Sequence, residues 1–233
     1  MPRRSPTEAA PLGRPLFVLN LKAYPRAVGD RALALGESLA RLSSKAGVAA
    51  AIAPFPADLG RLAQELWIPV LSQHADPFPP GAHTGFLVPE ALRSAGARGS
   101  LVNHSEHPLP PSTIHRTLKE LGRCQMAAVL CARDVREAGR LARWHPPYLA
   151  VEPPELIGGT VSVATAQPQV ISGTVAAVRR ASPGTAVLCG AGIHDRRDVT
   201  QAIELGAEGI LVASAVATAR QPARAIAELL AGF

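Results

Sequence analysis

A chain of 233 residues with 47% hydrophobic and 18% charged residues carries ample material for a sizeable core, which excludes a wholly disordered or fibrous protein. Its apolar runs stop short of the roughly 18 to 20 residues a membrane helix needs, and Met1-Pro-Arg-Arg-Ser-Pro6 lacks a signal-peptide hydrophobic stretch, so a cytoplasmic location is expected. The formal charge of +6 raises nucleic acid as a partner, but the basic residues lie singly or in pairs such as Arg3-Arg4, Arg179-Arg180 and Arg196-Arg197. Without clustering or interleaved aromatics they read as solvated helix faces, and the expected partner is a small anion rather than a nucleic acid or a membrane.

In chain order, residues 1–13 are rich in Pro, Arg and Ala and read as a flexible tail, with one domain spanning 14–233. The first strand candidate is Leu16–Asn20, followed by a helical stretch from Asp30 to Lys45. Further strands are expected at Val48–Pro54, Val70–His74, Gly99–His104, Met126–Cys131, Tyr148–Glu152, Ala186–Gly190 and Glu208–Ala213. Helices are expected to start near Pro56, Pro89, Pro111, Arg133, Pro168, Asp195 and Pro222, where proline or a capping polar residue suits a first turn. The cysteines Cys124, Cys131 and Cys189 are odd in number and widely spaced, which fits reduced, mostly buried thiols rather than a disulfide framework or a zinc site.

Strands apolar at nearly every position belong to a parallel sheet covered by helices on both faces. Eight strand–helix units in this length point to an α/β fold closed as a (β/α)8 barrel, with a doubly wound open sheet as the alternative that periodicity alone leaves open.

In a barrel the residues at the carboxyl ends of the strands carry the chemistry. Those ends read Asn20-Leu-Lys22, Gln73-His74, Asn103-His-Ser-Glu106, Glu152, Cys189-Gly-Ala-Gly192 and Ala213-Ser-Ala215. The last two are small enough to let backbone N–H groups approach a phosphate, although small residues also serve tight packing. Lys22 is one of only three lysines beside twenty-one arginines; an ordinary surface lysine is its bland alternative, and a hydrogen-bonded core histidine is that of His104. Glu152, closing the apolar run Tyr148–Val151, would be costly to bury without a task. A base, an electrophile and a cation around one cavity suit proton abstraction beside a carbonyl.

The stretches Val18–Tyr24, Gln73–Asp76, Gly81–Gly85, Leu101–His107, Ala150–Gly158, Leu188–Ile193 and Leu211–Ser214, in this order, resemble the triosephosphate isomerase family in its short archaeal form. The resemblance implies a single-domain (β/α)8 TIM barrel that interconverts glyceraldehyde 3-phosphate and dihydroxyacetone phosphate through an enediolate, without cofactor or metal. It implies Glu152 as base, His104 as electrophile and Lys22 as cation. Asn20 and Lys22 would contact substrate, Glu106 would stand behind His104 and Lys22, and Ile157, Gly192, Ala213 and Ser214 would face the phosphate. Pro153–Gly158 would be a mobile lid, and the loop at His83-Thr84-Gly85 would reach into a neighbouring subunit of a homo-oligomer, a tetramer by the resemblance with a dimer as the alternative. The chain departs from the family pattern at Gly158-Gly159-Thr160, at Ala164-Thr165 and at Ala215. The altered hinge is the sole support for an alternative, an isomerase of another small phosphorylated sugar such as a tetrulose phosphate; a non-catalytic barrel would have lost one of the three chemical residues.

Overall fold

A computed structural model of the chain describes residues 11–153 and 166–233. Its strands are β1 (Leu16–Asn20), β2 (Ala49–Ala53), β3 (Leu71–Ser72), β4 (Gly99–Val102), β5 (Ala127–Ala132), β6 (Tyr148–Val151), β7 (Ala186–Cys189) and β8 (Gly209–Val212). The helices between them are α1 (Asp30–Ala46), α2 (Leu59–Glu65), α3 (Pro89–Ser94), α4 (Pro111–Arg123) and α5 (Val135–Leu141), then α6 (Pro168–Ala181), α7 (Arg196–Glu204), α8 (Ser214–Ala217) and α9 (Pro222–Leu230). Single 3-10 turns at Pro56–Asp58 and Ala142–Trp144 precede α2 and follow α5.

The eight strands form one parallel sheet in the order β2-β1-β8-β7-β6-β5-β4-β3. The two ends meet in a bridge between Ile52 and Val70, where the Ile52 N–H donates to the Pro69 carbonyl at 3.0 Å. Closure is completed by the Gln73 side-chain amide, which donates to the Ala53 carbonyl at 3.0 Å and the Lys22 carbonyl at 2.9 Å. The sheet is therefore a barrel, not an open doubly wound sheet.

Every strand is buried at nearly every position because alternate side chains serve two compartments. Leu16, Val18, Leu71, Leu101, Val129, Tyr148, Leu188 and Leu211 fill the interior, whereas Phe17, Leu19, Ile52, Leu130, Val187 and Ile210 face the helices. Gly209 starts β8 at φ 155°, and a Cβ there would collide with the Leu16 backbone, so only glycine lets β8 lie against β1 at this point. Leu12 is buried in the interior cluster and the Gly13 carbonyl accepts from the Tyr148 hydroxyl at 3.2 Å, so packing begins ahead of the boundary expected at residue 14.

Four helices, α3, α4, α6 and α9, begin with the expected proline at their first turn. Asp195 is the N-cap of α7 and forms a reciprocal capping box with Asp198. Six strands, β2, β3, β4, β6, β7 and β8, are shorter than their apolar runs predict, and β3 and β4 each stop two residues early. β3 ends at Ser72 because the Ser72 hydroxyl donates to the His74 carbonyl at 2.6 Å and competes with the ladder. β4 ends at Val102 because Asn103 turns to φ 60°. All three cysteines are free, with Cys131 and Cys189 buried. Among the described residues no helix is long and apolar enough to cross a membrane.

Candidate active site

Residues at and just beyond the strand ends meet at one mouth of the barrel. Asn20, Lys22, His104, Glu152, Gly192, Ala213 and Ser214 all line one cavity there. Ile157 and the rest of the expected lid from Pro154 to Gly158, with the departures at Gly159-Thr160 and Ala164-Thr165, lie outside the described residues.

Lys22 follows β1 with a left-handed backbone at φ 48°, a conformation costly for a residue with a Cβ. The Asn20 Oδ1 accepts the Lys22 N–H at 3.0 Å and the Gln73 amide grips the Lys22 carbonyl, so both sides of the strained peptide are held. The ammonium, with its side chain 14% exposed, sits 2.8 Å from Glu106 Oε1. Asn103 performs the same service after β4: its Nδ2 donates to the Cys131 carbonyl at 2.9 Å and its Oδ1 accepts the Leu109 N–H at 2.9 Å. His104 is thereby fixed in the wall of the cavity.

The Nδ1 of His104 accepts the Glu106 backbone N–H at 3.2 Å, which places the proton of the neutral ring on Nε2, the nitrogen facing Glu152 Oε1 at 3.5 Å. Burial, then the charge of Lys22, pushes the His104 pKa down to about 4 against the opposing pull of Glu106. The ring is neutral at pH 7 and offers a donor rather than a charge.

Glu152 lies one residue beyond β6, its N–H donating to the Ala132 carbonyl at 2.8 Å, so it extends the inward series of Tyr148 and Ala150. Only 3% of it is exposed, and its Oε2 has no hydrogen-bond partner among the described residues. Burial raises its pKa to about 7, although the Cys131 thiol donates to the carboxylate and Lys22 attracts it. A carboxylate poised near neutrality, with one oxygen unengaged, is suited to take and return a proton.

Gly190 and Cys131 complete this environment, and sequence reading assigned neither of them to Glu152. A Cβ on Gly190 would lie 2.5 Å from Glu152 Cγ, so the glycine makes the space the carboxylate occupies. Its signal was the small-residue run after β7, which pointed to an anion and not to a neighbouring side chain. We expect Gly190→Ala to displace Glu152 and lower kcat/KM at least about tenfold, since misplacement of a reacting group by about an ångström can cost more than that. Steady-state kinetics of a variant that unfolds like the parent would check it; unchanged kcat/KM would show the carboxylate has room to spare.

Beside Glu152, His104 and Lys22, Gly192 at φ 64° and the short helix α8 at Ser214 frame the remaining wall. The first N–H groups of a helix have no intrahelical acceptors. Ala215 keeps that donor while adding a methyl to the wall. Glu106 stands outside the mouth with its side chain 58% exposed, touching Lys22 and lying 3.8 Å from His104 Nδ1.

An inward carboxylate titrating near neutrality, a neutral imidazole and an ammonium at the mouth of a (β/α)8 barrel define an isomerase of the acid–base class. The family model described as triosephosphate isomerase matches residues 15–230. Curated triosephosphate isomerases are similar over nearly their whole length: that of Methanothermus fervidus is 41% identical, with 94% of this chain and 99% of the relative covered. The protein of Methanothermobacter thermautotrophicus is 40% identical over 93% and 94%, and that of Cenarchaeum symbiosum 43% identical over 92% and 96%. The chain belongs to the triosephosphate isomerase family.

Proposed function

We propose that the chain interconverts D-glyceraldehyde 3-phosphate and dihydroxyacetone phosphate through an enediolate, as an enzyme of glycolysis and gluconeogenesis in the cytoplasm. The observation that carries this reading is the pairing of a buried carboxylate of pKa about 7 with a neutral imidazole whose Nε2 proton faces it. Glu152 removes a proton from the carbon beside the carbonyl and returns it to the neighbouring carbon. His104 donates from Nε2 to the oxygen on which charge builds and relays the hydroxyl proton between the two neighbouring oxygens, so that one becomes carbonyl as the other becomes hydroxyl. Lys22 offsets the charge together with the phosphate's. Asn20 supports Lys22 and faces substrate. Backbone groups of Gly192, Ala213 and Ser214 receive the phosphate, and by family likeness Ile157 on a closing lid adds another. Exclusion of water protects an enediolate that would otherwise eliminate phosphate. Coupling dihydroxyacetone phosphate formation to a reporting dehydrogenase tests the reading, and preference for a four-carbon phosphate would replace it with the paralogous alternative.

The same reading extends to a homo-oligomer, a tetramer by family likeness. The loop expected to reach a neighbour leaves β3 through Asp76, whose carboxylate accepts the Leu87 N–H at 2.7 Å and so pins the loop's two ends. Along it Phe78 stacks on His83, and Phe86, 48% exposed, meets both rings edge to face. Light scattering on the purified chain tests the assembly.

A further inference from the structure

We propose that His194, in the loop between β7 and α7, is a substrate-binding residue whose imidazole donates to the phosphate group. The proposal rests on the reading of this cavity as a triose phosphate site. His194 lines the same cavity as Gly192 and Ser214 and is exposed at its rim, where a ligand's phosphate has access. Its backbone N–H is already engaged, donating to Asp198 Oδ2 at 2.9 Å, so the donor it has left for an anion is its ring. Among the described residues no hydrogen bond or ion pair involves that ring.

The charge balance of the cavity gives such a donor its value. Lys22 is paired with Glu106 at 2.8 Å, His104 is neutral, and Glu152 must be an anion when it acts as base. These side chains sum to a net negative charge, against which a phosphate dianion has to bind. Backbone N–H groups supply part of the compensation, and a hydrogen bond from an imidazole to an ionised oxygen is among the stronger side-chain contributions. His194 is a cavity-lining side chain at the rim that can provide it without disturbing the proton-transfer groups, beside the hydroxyls of Tyr24 and Ser214.

Titration calorimetry of the full chain with inorganic phosphate, beside KM for glyceraldehyde 3-phosphate, decides the matter. His194→Phe, which keeps a ring but no donor, is expected to weaken phosphate binding and raise KM about tenfold, the size of one charge-assisted hydrogen bond. His194→Gln, which restores an N–H donor, is expected to recover most of that loss. A phenylalanine variant with parental affinity, or equal losses in both variants, would overturn the proposal while leaving the isomerase reading standing. A parent chain that binds phosphate yet isomerises nothing would instead overturn the reading of the reaction.

Discussion

Glu152→Gln is expected to lower turnover by about 10² to 10⁴, the range of a positioned general base, while making the protein more stable above neutral pH. The two effects share a cause. The carboxyl has an ordinary value of 4.5 and a folded-state pKa of about 7, raised chiefly by burial. Between those values the unfolded chain has released a proton that the folded chain still holds, so stability falls as pH rises through this window. Above about pH 7 both states are ionised and the loss is constant, of order 3 kcal/mol. Below pH 4.5 both are protonated and there is no loss. Glutamine is neutral throughout, so its advantage should be absent near pH 4 and reach up to about 3 kcal/mol at pH 8. Denaturant unfolding at the two pH values measures it, and kcat/KM of the parent should rise with an ionisation near pH 7. Near-parental turnover in the variant would remove Glu152 from the reaction; equal stabilities at pH 8 would mean that burial does not set its pKa.

Lys22→Met is the second large effect, a loss of about 10² to 10³ in kcat/KM, comparable to removing one preorganised charge-stabilising group. The fold should tolerate it, since the left-handed backbone at position 22 is held through its N–H by Asn20 and its carbonyl by Gln73, not through the ammonium. The pH profile should move as well. The charge of Lys22 lowers the pKa of both Glu152 and His104, and its removal also leaves Glu106 uncompensated. Both changes favour the protonated carboxyl, so the acidic limb of kcat/KM should shift to higher pH. His104 stays neutral because burial, the largest cause of its low pKa, is untouched. A profile that falls in height without shifting would show that Lys22 binds substrate but does not tune the base.

Local chemistry made much of this architecture readable in advance. Prolines 89, 111, 168 and 222 cannot extend a helix backwards, and each opens one. Strand runs apolar on both faces demanded cover on both sides. β3 and β4 end earlier than their apolar runs because the side-chain bond at Ser72 and the turn at Asn103 compete with the ladder, and a run of apolar letters carries neither. Gln73 and Asn103 stood at the expected strand ends, yet their tasks are bonds to carbonyls from other strands, which no spacing within one strand reveals.

By itself, then, the sequence determined the alternation of strand and helix and through ordered motifs the family, and it pointed to Lys22, His104 and Glu152, which the fold brings to one cavity. It could show that a carboxylate closing an apolar strand was out of place. Only the tertiary structure decided what that carboxylate experiences: β5 brings the Cys131 thiol, β7 opens space at Gly190, and the chain after β4 turns the His104 proton toward it. A pKa is set by desolvation and by charges within a few ångströms, and those neighbours come from strands far apart in the chain.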